Sequence, residues 1–513
     1  MATRRKSRNK AGATPRARKR PSVNNGYDVI IVGAGPAGNT LAWKLASAGV
    51  KTIVLDGARF PREKVCGDYI EPRGLRLLDQ MGCLSALEAD SPLPIAYSST
   101  YVDSERRYIG RIPFYGVQKH LPPHGYIISR EILDNVILER AQQAGAVVRQ
   151  ETYVQGYSAV RNGVTVEAKH HGKPVFYGGR IIVGADGTNS VVARCAGVLV
   201  NDSRHIALSQ RAYAYDYDGR IGEAAFFFDR DYFPGYGWMF PMNGGRVNLG
   251  VGVLKETCQR HNIAIPKLFH DFFEKLKRWH PRCRKLKLLR PPIGGIVKTY
   301  GGAGCNYFQS GLLIGDAGSF VDPMTGEGIA PAMESALIAA HVILSVLSSG
   351  RVNASSFASY ETAFRNYFDP SMAITDLCAA TLRNPYYWNS WKRALLRGCA
   401  LAQNDLKFAA TVGACFGGLE INPAGILSEI WIKTVESLLN SLPQSMFQML
   451  DSGADPTSLR LHEAVGWVFD SWASILHDPF WHAAWIADIQ RKWLHVLSVM
   501  QKIRLDPRIN AVV

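Results

Sequence analysis

No two of the nine cysteines, at 66, 83, 195, 258, 283, 305, 378, 399 and 415, form a CxxC pair. That excludes a zinc-ligand set and the dense disulfide framework of a small secreted domain, and it points to a reduced, cytoplasmic protein without a metal. Long hydrophobic runs are also scarce. The cleanest, near Ser335–Leu347, is too short to cross a bilayer. No secretory apolar stretch follows the N-terminus. Acid is missing altogether from residues 1–21, MATRRKSRNKAGATPRARKRP, which hold nine Lys/Arg against a net charge of +16 for the whole chain. A tail of that composition, read as residues 1–25, is expected to be disordered. Its charge suits loose peripheral contact with anionic lipid, and nothing in it reads a specific nucleic acid. What is plentiful is apolar surface: 513 residues, 47% hydrophobic, are enough for two or three fused domains.

The first chemistry-bearing segment is YDVIIVGAGPAGNTLAWKLASAGVKTIVLD, residues 27–56. Val29–Val32 is a β-branched run of the kind a strand buried on both faces shows. Gly33, Gly35 and Gly38 follow at once in GxGxxG spacing. Leu41, Leu45 and Ala48 then recur at helical intervals, and a second apolar run ends at Asp56. In a strand–turn–helix–strand unit the first glycine permits the tight turn. The second lets backbone approach a pyrophosphate, and the third lets helix and strand pack closely. The helix N-terminus offers free N–H groups to phosphate, and Asp56 stands where an acid accepts from a ribose.

Two later segments argue that the dinucleotide is FAD. RIIVGADGTNSVVARCAG, 180–197, is a short strand followed by Asp186-Gly187. LLIGDAGSFVDPMTGEGIAPAMESALIAA, 312–340, runs from a strand through Gly315-Asp316 and a Gly/Pro-rich turn into a long apolar helix. Asp316, at a strand end, can hold ribityl hydroxyls. Gly326, Gly328 and Ile329 bring backbone N–H groups and a positive helix end to the side of a flavin that becomes anionic on reduction.

Together, the Gly33–Gly38 turn, Asp186-Gly187 and Gly315-Asp316 resemble the three signatures of the p-hydroxybenzoate-hydroxylase-type FAD superfamily. Within it, FPREKVCGD (60–68) and PGYGWMFP (234–241) resemble the geranylgeranyl reductase family, as does FGGLEINPAGILSEIWIK (416–433). The resemblance runs from about Tyr27 to Lys433. It implies that Gly33, Gly35, Gly38 and Asp56 hold the ADP half of FAD. Arg62, Lys64 and Arg130 are implied as cofactor contacts, with Asp316 on the flavin and Asp186 ordering a turn. Cys66 is implied near the flavin or the substrate mouth, with its thiolate favoured by the neighbouring Arg62 and Lys64. Tyr236, Trp238 and Phe240 alternate along a strand and would wall an apolar pocket, so Cys66, Tyr236 and Trp238 are the candidate catalytic-side residues.

The expected fold is α/β. A Rossmann-like FAD-binding domain is formed from 26–198 and 305–350, a mainly antiparallel β substrate domain from 199–304, and a helical C-terminal region from 351–513. Its tryptophans (Trp467, Trp472, Trp481, Trp485, Trp493) suit either packing on the body or a membrane interface. The expected reaction is reduction of prenyl C=C bonds by hydride from reduced FAD, with electrons from NADPH or a small redox protein. The alternative is a flavin monooxygenase or epoxidase on a similar apolar substrate. A flavin halogenase is disfavoured, because Tyr236-Gly-Trp238-Met-Phe240-Pro241 stands in place of Trp-x-Trp-x-Ile-Pro.

Overall fold

The computed structural model describes residues 23–111, 121, 122, 124–219, 222–409 and 470–505. Most of the basic tail and all of FGGLEINPAGILSEIWIK lie outside the described residues.

Five strands form the parallel centre of the first sheet, in the order Gly311–Leu313, Lys173–Gly184, Val23–Val32, Thr52–Leu55, Val147–Arg149. They read as near-continuous apolar runs because both faces are covered. Val29, Ile30, Ile31, Ile53, Val54 and Leu55 are all fully buried. One face packs against helix Pro36–Ser47 through Leu41 and Leu45. That helix in turn meets Ile329–Ser349 at Ala336, Ala339, Ala340 and Ile343. The small residues let the two helices lie close. Among the described residues Ile329–Ser349 is the one helix long and apolar enough to cross a membrane, and 72% of its apolar window is buried inside the body.

The second sheet holds eight strands, including Ile206–Tyr215, Glu223–Phe228, Tyr236–Pro241, Val247–Leu254 and Ile293–Lys298. Helix Ile265–Trp279 covers its outer face with Leu268, Phe269, Phe272, Phe273 and Leu276. Packing crosses two of the expected domain limits. Strands Tyr97–Val102 and Glu105–Arg111 lie within the stretch assigned to the FAD-binding domain, yet they extend the second sheet: Tyr97–Val102 pairs parallel with Glu223–Phe228, and Glu105–Arg111 pairs antiparallel with Tyr97–Val102. The 351 boundary is not a break in packing either. Phe357, Tyr360, Phe364 and Phe368 of helix Ala354–Leu382 sit in the same core as the parallel sheet, and Tyr360 donates to the Leu313 carbonyl at 3.0 Å. Helix Pro479–Leu505 then packs on Ala354–Leu382 through Val496 and Val499, and leaves Phe480, Leu494 and Leu497 exposed.

Candidate active site

The glycine turn is built as its spacing implies. Gly33 has φ +104°, and a Cβ there would lie 2.3 Å from the Ala185 carbonyl oxygen. A Cβ on Gly38 would lie 1.9 Å from the Gly33 oxygen. These two are glycine because of protein packing. Gly35 is different: the nearest atom to a Cβ there would be the Arg62 guanidinium at 3.8 Å. The space over Gly35 is open toward a cationic side chain, at the N-terminus of a helix whose first turn has no side-chain cap. This is a cradle for an anion. Arg62 is held there over the Phe60 ring and 3.2 Å from Asp134.

Asp56 accepts from the Ala34 and Ala58 N–H groups, each at 2.7 Å, so it braces the glycine turn as well as standing at its rim. Asp186 accepts from Ser190 Oγ at 2.5 Å and from the Val191 and Val192 N–H groups. It ties down the short helix Val191–Cys195. Gly315 takes φ +57°, and a Cβ there would come within 3.0 Å of Ala37.

Past the turn, a cavity enclosing about 1630 Å³ including its open mouth lies between the first and second sheets. Lys64, Cys66, Arg130, Tyr236, Trp238 and Asp316 all line it, as do Gly326, Gly328 and Ile329 at the start of the long helix. Residues separated by up to 265 positions thus meet in one place, while Gly33, Gly35, Gly38, Asp56, Arg62 and Asp186 do not line it. Tyr236, Trp238 and Phe240 face the cavity side of their strand. Gly237 and Met239 face the other, where a Cβ on Gly237 would strike the Phe272 ring at 2.7 Å. The Tyr236 hydroxyl donates to the Thr325 carbonyl, and Trp238 Nε1 donates to Asn248 Oδ1 at 3.0 Å. The row therefore joins the second sheet to the loop before the long helix.

Two expectations about charge change. Arg130 is 4% exposed, and its guanidinium is locked in two bonds to Asp134 at 2.7 and 2.8 Å. Cys66 is not poised as a thiolate. Burial pushes its thiol pKa up, and this outweighs the nearby Arg130 and Lys64. Asp134 already answers the Arg130 charge, while Lys64 pairs with Asp316 at 3.5 Å.

Four polar groups at or behind the cavity wall, Asp68, Asn248, Glu327 and Glu71, carry almost no signature in the sequence. Asp68, fully buried at φ +64°, accepts from Tyr213 OH at 2.5 Å and Asn248 Nδ2 at 2.8 Å. Burial raises its pKa to about 6 despite those bonds and the nearby Arg211. Asn248 also donates to the Cys66 carbonyl at 2.9 Å, so one amide fixes both ends of the Cys66–Asp68 loop. Glu327 lines the cavity between two glycines, with fully buried Glu71 behind it. A polar Asn inside the apolar strand VNLGVGVL was the one available signal.

The residues present suit FAD: an open cradle over Gly35 for a pyrophosphate, Asp316 with Lys64 midway, and a helix N-terminus facing a slot walled by aromatics. The fold and this arrangement define an FAD-dependent oxidoreductase. An FAD binding domain profile matches residues 26–212. The chain is 32% identical over 335 residues to the menaquinone reductase of Mycobacterium tuberculosis, covering 63% of this chain and 78% of that protein. It is 25% identical over 352 residues to the digeranylgeranylglycerophospholipid reductase of Methanococcus vannielii, covering 67% and 83%. A geranylgeranyl bacteriochlorophyll reductase-like structure from Thermoplasma acidophilum shares the fold, with TM-score 0.68 and 21% identity over 82% of this chain and 100% of that one. The protein belongs to the geranylgeranyl reductase family of FAD-dependent oxidoreductases.

Proposed function

We propose that this enzyme saturates carbon–carbon double bonds in the prenyl chain of a lipid. The observation that carries the proposal is the aromatic-walled cavity running from the glycine side of the long helix to Leu254, Ala379 and Leu382. Such a slot gains affinity by burying apolar chain, at about 25 cal/mol per Å², and asks little of polar groups. A polyprenyl chain is also the chemistry common to menaquinone and to a geranylgeranyl phospholipid, named for two of the relatives.

FAD, when bound, supplies the hydride; a nicotinamide dinucleotide or a small redox protein would recharge it. The chain's own part is placement. Gly33, Gly35, Gly38, Asp56 and Arg62 would hold the dinucleotide end, and Asp316 with Lys64 the middle. Arg130, Gly326, Gly328 and Ile329 would border the flavin. Tyr236, Trp238 and Phe240 wall the prenyl slot and exclude water. Cys66, with its thiol protonated, borders the slot where substrate enters.

Protein reduced with dithionite under argon and supplied with menaquinone or a geranylgeranyl phospholipid in detergent should add two hydrogens to the prenyl chain, read by mass. A product that forms only with oxygen, and carries it, would make the enzyme a monooxygenase instead. Cys66→Ala should retain FAD and lose turnover at least tenfold, about 1.4 kcal/mol of barrier. Turnover equal to wild type would leave the thiol a packing role.

A further inference from the structure

Behind the loop that carries Gly326 and Gly328 lies a buried acidic cluster that flavin binding does not account for. Glu71 is 0% exposed, and neither of its carboxyl oxygens finds a donor among the described residues. Glu327 Oε1 is likewise buried without a donor. Leaving such oxygens bare costs about 1–3 kcal/mol each, more where they are charged. One arrangement satisfies them. After burial, Glu71 is the neighbour that bears most on Glu327. Two carboxylates have only acceptors, so the pair can satisfy its bare oxygens only if a proton lies between them.

Charge counting agrees. The groups facing Glu327 are Glu71, Arg73, Asp322, Tyr69 and Tyr236. Arg73 is 7% exposed and is taken by Glu334 at 3.1 Å, which also accepts from Tyr367 OH at 2.7 Å. The cation nearest the pair is thus already matched by another carboxylate. Arg76 bears on Glu334 rather than on Glu327. Burial first, and then Glu71, raise the Glu327 pKa well above the ordinary value.

We propose that Glu327 and Glu71 share one proton at the wall of the cavity, and that Glu327 delivers it to the prenyl double bond as the hydride adds. The inference rests on the reductase reading. In the step, the electron pair of the double bond forms a C–H bond with the proton leaving Glu327. The hydride forms the C–H bond at the other carbon, and its two electrons are the ones the flavin loses. The pair, left without its proton, regains one from solvent before the next cycle. Glu327 faces the cavity and is the catalytic acid. Glu71, with no exposure, is the positioning residue that keeps it protonated.

The test combines infrared spectroscopy with turnover on the FAD-loaded enzyme. At pH 8 the wild type should show a protonated-carboxyl stretch that shifts in D₂O. Both Glu327→Gln and Glu71→Gln should lose it, with flavin content and melting temperature checked for each. With the prenyl lipid as substrate, Glu327→Gln should cut single-turnover reduction at least a hundredfold while leaving dithionite reduction of the flavin as in wild type. Glu71→Gln should move the alkaline limb of the pH–rate profile about one pH unit or more toward acid, because Glu327 then holds its proton less tightly. A stretch that neither variant removes would overturn the shared proton. A stretch lost in both, with Glu327→Gln as fast as wild type, would overturn delivery. The infrared result needs no substrate. If the stretch is lost as expected but wild type reduces no prenyl lipid, the proton pair stands, and the reductase reading falls together with the delivery step.

Discussion

Gly38→Ala should cost the fold more than about 4 kcal/mol, while Gly35→Ala, three residues earlier, should leave the apo-protein within about 0.5 kcal/mol of wild type. A methyl on Gly38 would sit 1.9 Å from the Gly33 oxygen and 3.3 Å from the Ala185 side chain. Neither backbone can withdraw, because Gly33 is pinned by its N–H bond to Leu55 O at 2.8 Å and Ala185 by its bond to Val32 O at 2.8 Å. The clash would pry the Pro36–Ser47 helix off the sheet it covers. Gly35 has φ −78° and ψ −173°, an extended conformation open to any residue, and no neighbour within 3.4 Å of an added methyl. Only a ligand gives it a reason to be glycine. Gly35→Ala should therefore weaken FAD binding at least a hundredfold, about 2.7 kcal/mol, with an unchanged apo melting curve. Flavin titration and thermal melts of the two apo-proteins separate the cases. Normal FAD affinity in Gly35→Ala would mean that the pyrophosphate does not pass over this turn.

The contrast also shows what sequence could and could not reveal. The glycine turn was legible because its meaning is local: strand, turn and helix fall within a few tens of residues, and each glycine's role follows from spacing. The Tyr236–Trp238–Phe240 row was legible for the same reason, since strand periodicity sets the face. Asp68, Glu71 and Glu327 were not. Asn248 and Asp68 lie 180 positions apart, Tyr213 and Asp68 145. Such pairs are made by one sheet closing over the other, and no period in the chain announces them. The Cys66 thiol misled for a related reason. Arg130 and Lys64 are near it, but Asp134 and Asp316 pair with them, so burial decides the sign. Packing that ignores chain order is equally hidden, as in the aromatic face of Ala354–Leu382 filling the core of the parallel sheet.

Asp68→Asn should stabilise the folded protein by roughly 3 kcal/mol at pH 8 and by little at pH 4. The Asp68 carboxyl is fully buried, and its pKa is raised from 3.8 to about 6. Desolvation is the largest cause, and the bonds from Tyr213 and Asn248 and the field of Arg211 only partly offset it. Its Oδ1 has no donor among the described residues. The folded state therefore holds this proton more tightly than the unfolded chain does. Below about pH 4 both states are protonated and the contribution is fully present. As pH climbs from about 4 to about 6 the unfolded chain ionises first, and stability falls until the folded carboxyl has lost its proton as well. An asparagine escapes that loss. Its side-chain oxygen can accept from both Tyr213 and Asn248, and asparagine tolerates the positive φ of this position. No cation is stranded, because Arg211 keeps Glu63 at 2.9 Å and the Lys64 carbonyl at 3.1 Å, and Arg130 keeps Asp134. Denaturant unfolding of both proteins at pH 4 and pH 8 measures the difference directly. An equal gap at the two pH values would show that Asp68 carries no buried charge. A buried charge retained at such a cost beside Cys66 would fit a site shaped for reaction over stability, since strain and unmatched charge gather where chemistry requires them.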